Sequence, residues 1–161
     1  MGKSVRPLSA SVEIAAPPQA VWRVVADVRR TGEWSPECRK VLAPARLRAG
    51  SRFVGLNTRG FVAWPTTARV VRCEPPRVLA YRIVENGATW TYALEPAGEG
   101  TRLTESRVAA DGITTFAAVF TRVLLGGEVH TDELEDGIRR SLERIKAIVE
   151  SESAGSAAAG G

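Results

Sequence analysis

Glu105 and Arg107 stand two apart in the segment GTRLTESRV, in which Leu103 marks the core-facing side of an alternating strand. Side chains at i and i+2 share one face of a strand, so a carboxylate and a guanidinium both face inward. Burying either charge is costly unless it is paired and hydrogen-bonded. Three arrangements satisfy that constraint: the two groups pair with each other, they hold a carbonyl or hydroxyl of a ligand, or the strand end is exposed and both meet solvent. Tyr81 and Tyr92 are the further groups that, with Glu105, are able to polarise a carbonyl next to an enolisable carbon. His130 is the single histidine, which excludes a His pair or a His-based metal triad. It serves either as one general base at the head of the last helix or as a surface residue. No Ser-His-Asp or Cys-His arrangement and no phosphate-cradling G-x-G-x-x-G loop is present; Gly98-Glu99-Gly100 is hairpin chemistry. Cys38 and Cys73 lack metal-ligand spacing and read as two small, partly buried residues.

Those groups need a scaffold. A chain of 161 residues, 44% hydrophobic and 25% charged, makes one domain with one core. The net charge of +4 comes with arginines scattered along strands and the last helix, so it describes a solvated surface and no nucleic-acid partner is expected. Two unstapled thiols and an N-terminus without an apolar h-region point to a reducing cytoplasm. No apolar run approaches the ~20 residues that span a bilayer, so stable membrane insertion is not expected.

The order of elements is legible from periodicity and breakers. Residues 8–15 alternate as a first strand. Pro17-Pro18 ends it and opens a helix over QAVWRVVADVRR, since proline is tolerated in a first helical turn. A second short helical piece near 31–34 stops at Pro36. Residues 37–47 read as an edge or bent strand because of Pro44. SRFVGLNT and FVAWPTTARVVRCE follow, and the run from Pro76 to Ala110 gives three more strands, with turns at Glu85-Asn86-Gly87 and Ala97-Gly98-Glu99-Gly100. Six consecutive antiparallel strands thus lead to helical stretches over 113–125 and about 128–150. SESAGSAAAGG reads as a disordered tail, leaving 1–7 as an N-terminal extension and 8–150 as the single domain.

In the last helix Leu134, Ile138, Leu142, Ile145 and Val149 form a core-facing stripe. Gly137 and Ser141 lie on its flank and leave volume there, either for close approach of the sheet or for a ligand. Alternation puts Phe53 and Asn57 on one inward face, Trp64 and Thr66 on the next strand, then Tyr81, then Trp90 and Tyr92, then Glu105 and Arg107. Trp34, Trp64 and Trp90 offer three broad rings to a flat molecule. Phe116 and Phe120 lie in the amphipathic segment 113–125, which either closes over the mouth on a Gly126-Gly127 hinge or packs onto the sheet. A meander of this kind, closed by a helix, is the wall of a cup.

A strand, two small helices, a six-strand antiparallel run and a long C-terminal helix make the α+β helix-grip order, a curved sheet wrapped around the terminal helix. VEIAAPPQAVWRVVADVRRTGEWSPE, GSRFVGLN, WTYALEPAGEGTRLTESR and ELEDGIRRSLERIKAIVE, in that order, resemble the polyketide cyclase/dehydrase and lipid-transport proteins of the START-like (SRPBCC) superfamily. The resemblance covers about residues 8–150. It implies a deep apolar cavity between sheet and terminal helix and a range of activities. Three functions are expected from it: a binder of a small hydrophobic or aromatic molecule; a cyclase/dehydratase acting through cavity Tyr and Glu groups; or an interaction or stress module with a filled interior. The absence of Rieske, zinc or flavin signatures leads to no cofactor being expected, and both a monomer and a homodimer stay open.

Overall fold

The computed structural model describes residues 8–109 and 131–159. Within them the chain forms β1 (Leu8–Ile14), α1 (Pro18–Val25), a 3-10 turn (Val28–Glu33), β2 (Cys38–Leu42), β3 (Arg52–Arg59), β4 (Val62–Glu74), β5 (Val78–Ile83), β6 (Thr89–Ala97), β7 (Gly100–Val108) and the terminal helix α2 (Thr131–Ala159). The seven strands make one antiparallel sheet in the order β1-β7-β6-β5-β4-β3-β2. Every step joins consecutive strands except one: β1 pairs with the last strand, β7, so that β1 and β2 form the two opposite edges. This is the helix-grip architecture expected from the sequence.

Breakers fall where the backbone needs them. Gly87 and Gly98 take φ of 70° and 60° in the β5–β6 and β6–β7 turns, a region that costs a side chain its Cβ clearance. Gly100 has a different reason: a Cβ there would run into the Ile14 carbonyl oxygen, so the close β1–β7 approach needs glycine.

Three boundaries differ from expectation. α1 ends at Val25, and the next turn is a 3-10 helix over residues 28–33. Asp27 causes the break, because its carboxylate caps Arg29 N and clamps the Arg29 side chain at 2.7 Å. β2 is five residues long, bulged between Cys38 and Lys40, and ends before Pro44. The segment expected to be a disordered tail is helical as far as Ala159; alanine carries the best helix propensity, and the helix simply propagates from its packed part.

The core divides in two. Under α2, Ile138, Leu142, Ile145 and Val149 pack with Val21, Val24 and Val25 of α1 and with Ile14, Leu94 and Leu103 of β1, β6 and β7. The second cluster, Val28, Cys38, Val41, Phe53, Ala68, Val70, Leu79 and Ile83, lies on the β2–β5 half and includes no residue of α2. The described apolar face of the helix therefore packs on the β1–β7–β6 half of the sheet. Its tail end is tied by Lys146 Nζ donating to the Glu13 carbonyl (2.6 Å), Ala15 N donating to Glu150 Oε1 (3.0 Å) and the Arg30–Glu152 pair (2.6 Å). At its head Arg59, at the end of β3, meets Glu133 at 2.9 Å. No described helix is long and apolar enough to cross a membrane.

Ile145 is fully buried at the centre of this grip. Replacing it with alanine removes three carbons and leaves a cavity, and should lower unfolding free energy by about 2–5 kcal/mol. Urea unfolding followed by circular dichroism measures the loss.

Candidate functional site

Strand register decides which side chains meet. Phe53 lies opposite Ala68, Gly55 opposite Thr66 and Asn57 opposite Trp64. Tyr81 lies opposite Trp90, Trp90 opposite Arg107, and Tyr92 opposite Glu105. All the strand residues expected to face inward thus share the concave face. A bulge in β4 between Val70 and Arg72 swings Cys73 onto that face as well, opposite Leu79; strict alternation does not foresee it.

The centre of the face is polar and closed off from water. Glu105 is 3% exposed, and the Tyr92 hydroxyl donates to its Oε1 at 3.1 Å. Its other oxygen, Oε2, has no partner. Burial pushes the Glu105 carboxyl up to about 8, and the Tyr92 hydrogen bond only partly opposes that. Burial, followed by the charge of Glu105, also lifts the Tyr81 and Tyr92 hydroxyls above their ordinary range. Trp34, 1% exposed, follows the 3-10 turn and is held there by Arg144 Nη1 donating to its carbonyl at 3.5 Å. Its indole N–H lies by the Tyr92 hydroxyl and draws that group's titration down, but it has no hydrogen-bond partner. A buried N–H and a buried carboxyl oxygen are therefore both left unsatisfied on one side of the sheet.

Glu105 and Arg107 do not pair. Arg107 lies over the Trp90 ring, 5.9 Å from its centroid, where the ring's negative face receives the cation. Burial lowers its ordinarily very high pKa. The expectation of an exposed strand end is corrected for Glu105, which is buried, while Arg107 is half-buried. Phe53 meets Tyr81 edge to face at 5.1 Å, and Tyr81 and Tyr92 lie 6.5 Å apart, so an aromatic floor runs toward the buried carboxyl. Toward the β3–β4 end, Asn57 Nδ2 donates to Thr66 Oγ1 at 3.1 Å and, more weakly, to the Trp64 carbonyl at 3.4 Å.

On the helix, Ser141 is buried and Gly137 half-buried. A Cβ at Gly137 meets no described atom within 4 Å, so close sheet approach is not what requires glycine there. Phe116, Phe120, His130, the segment 113–125 and the Gly126-Gly127 hinge lie outside the described residues. Cys38 and Cys73 are free thiols, and burial raises both above their ordinary pKa. Among the described residues no cluster of three or more His, Cys, Asp or Glu is placed to hold a metal.

Sequence reasoning treated Trp34 as a stacking ring and missed its orphaned N–H. It also missed Glu37, whose carboxyl burial raises although Arg59 opposes the rise. No local pattern announces either, because both depend on how distant elements close around them.

A concave antiparallel sheet gripping a terminal helix, with a buried polar centre on its inner face, defines the helix-grip class of α+β folds. The chain belongs to the polyketide cyclase / dehydrase and lipid transport family, whose description matches residues 7–150. A polyketide-cyclase-like protein of Corynebacterium glutamicum is 32% identical over 92% of this chain and 87% of its own, with a TM-score of 0.51. A Thermus thermophilus protein shares the fold with a TM-score of 0.67 at 18% identity, covering 92% of this chain and 99% of its own. The di-domain aromatase/cyclase StfQ of the steffimycin biosynthetic pathway shares it at 0.65 and 17% identity, over 92% of this chain and 51% of its own. No curated protein sequence matches the chain.

The raised carboxyl has a consequence for stability. Unfolded, Glu105 titrates near 4.5; folded, it keeps its proton to about pH 8. Between those values the folded state binds the extra proton, so the stability owed to Glu105 is full at low pH and is lost as pH rises. Relative to Glu105→Gln, the natural protein should lose a few kcal/mol of unfolding free energy between about pH 5 and about pH 9. Parallel urea titrations of the two proteins at each pH check this.

Proposed function

We propose that the chain binds a small hydrophobic or aromatic molecule between the concave face of β3–β7 and the head of α2. The observation that carries this reading is the split core: α2 packs on β1, β6, β7 and α1, while the apolar cluster on β2–β5 holds, among the described residues, no residue of α2 and meets helical residues only at Trp22 of α1 and Val28 of the 3-10 turn. A face so lined with Phe53, Tyr81 and Trp90, with few polar groups, matches what ligand pockets present. Gly137 supports it from the helix side, since a glycine in mid-helix costs roughly 0.5–1 kcal/mol against alanine and a Cβ here would meet no described atom within 4 Å. Family membership supports a ligand-binding or cyclase role. The molecule is held without a metal or organic cofactor, and the reading places the protein in the cytoplasm.

One observation favours a second reading, a cyclase or dehydratase. A carboxyl held near pKa 8 beside a tyrosine is protonated at neutral pH and able to give its proton to a carbonyl oxygen, the role of a general acid. Turnover is sought on whatever molecule the protein retains in native mass spectrometry after incubation with a lipid extract.

The binding reading is tested with a neutral, environment-sensitive naphthylamine dye. The protein should take it up with one-to-one saturation, and Gly137→Leu, which fills the space at the helix head, should weaken uptake at least tenfold while the circular-dichroism spectrum and melting stay the same. Equal uptake by the folded variant would sink the assignment of the cavity.

A further inference from the structure

We propose that Glu105 is a hydrogen-bond donor that selects ligands carrying an uncharged carbonyl oxygen, received at Oε2 beside Tyr92. This rests on the binding reading above and names the chemical group the cavity takes. The argument begins with the inventory of protons around the carboxyl. The Tyr92 hydroxyl has one proton and spends it on Glu105 Oε1 at 3.1 Å. Oε1 is thereby fixed as the acceptor oxygen, which leaves the carboxyl's own proton on Oε2. That oxygen is buried and has no partner in the chain. A buried O–H without an acceptor is a costly thing to keep. Something that brings a lone pair and no charge removes the cost.

The surroundings decide between a neutral and a charged guest. Tyr92 faces Glu105 from β6, and Tyr81 lies behind it on β5. On β7 the nearest cation is Arg107, which is drawn over Trp90 and does not pair with the carboxyl. β1 presents Ala10 opposite, and the buried residues that α1 and α2 add to this core are apolar apart from Ser141. No described cation is placed to keep Glu105 ionised, and burial holds it in its acid form past neutrality. The orphaned Trp34 N–H is a second donor on the same side of Tyr92. Two unsatisfied donors next to an aromatic floor suit a planar ketone or quinone. A hydrocarbon leaves both donors unpaired, and an amine or ammonium brings a donor to a donor.

A matched pair of probes tests this: fluorene and 9-fluorenone, equal in shape and differing by one carbonyl oxygen. Their dissociation constants are measured by tryptophan quenching at about pH 6.5 and about pH 9.5. The natural protein should prefer fluorenone about tenfold at the lower pH. That preference should fall severalfold at the higher pH, where the carboxyl loses its proton and only the Trp34 N–H is left to donate. Glu105→Gln keeps a donor that does not titrate, so its preference should persist at both. Glu105→Leu should keep only a weaker preference, owed to the Trp34 N–H and the freed Tyr92 hydroxyl, that is the same at both pH values. Equal binding of fluorene and fluorenone by the natural protein at pH 6.5 would overturn the donor assignment while leaving the cavity standing. A preference that persists unchanged at pH 9.5 in the natural protein would overturn it too. Binding of neither probe would overturn the cavity itself, and the donor assignment with it.

Discussion

The β6–β7 register is the constraint from which the site follows. It is set by the turn at Gly98 and held at its base by Thr101 Oγ1 donating to the Ala16 carbonyl at 2.7 Å. With that register Tyr92 lies opposite Glu105 and Trp90 opposite Arg107. A slip of one residue would exchange the faces, sending Glu105 to solvent and Thr104 inward. The buried carboxyl, its raised pKa and the aromatic path leading to it all require this one alignment. Gly100 reinforces it, since only glycine lets β7 start so close to Ile14.

A buried acid at the centre of a sheet is a cost that the fold has to carry. Burial dominates its titration, and a single hydrogen bond from Tyr92 offsets only part. An interior chosen for stability alone would place a hydrophobic residue there, because replacing buried polar groups with well-packed apolar ones is often neutral or stabilising. The position instead retains a carboxyl with one oxygen unpaired. Arg107, two residues along the strand on the same face, is engaged with a tryptophan ring. The polar centre is therefore not a structural ion pair.

The sequence carried much of this. Period-2 alternation fixed which residues share the concave face, because each strand has apolar residues dense enough to define an inside. The helix stripe from Leu134 to Val149 was legible for the same reason at period 3.6. What was not legible depends on contacts between distant elements. Alternation puts Glu105 and Arg107 on one face but cannot say that Trp90 and Tyr92, one strand over, take them separately. The bulge after Val70 that turns Cys73 inward leaves no mark in composition. Nor does the pattern of VRRTGEW show that the Trp34 indole will end up by Tyr92 with its N–H free. The composition of SESAGSAAA, small and polar, points to disorder, whereas alanine on an established helix prolongs it as far as Ala159.

The anchoring of α2 is uneven along its length. Toward the tail, Lys146, Glu150 and Glu152 each reach a different partner on β1, the linker after it, or the 3-10 turn. At the head, Arg59 and Glu133 form one ion pair, both side chains about half exposed. An exposed pair of that kind contributes about 0–1 kcal/mol and weakens in salt. Among the described residues, the helix is thus held more firmly at its tail than at its head. Raised ionic strength therefore loosens this contact at the head before it reaches the rest of the helix, whose hold on the sheet is apolar.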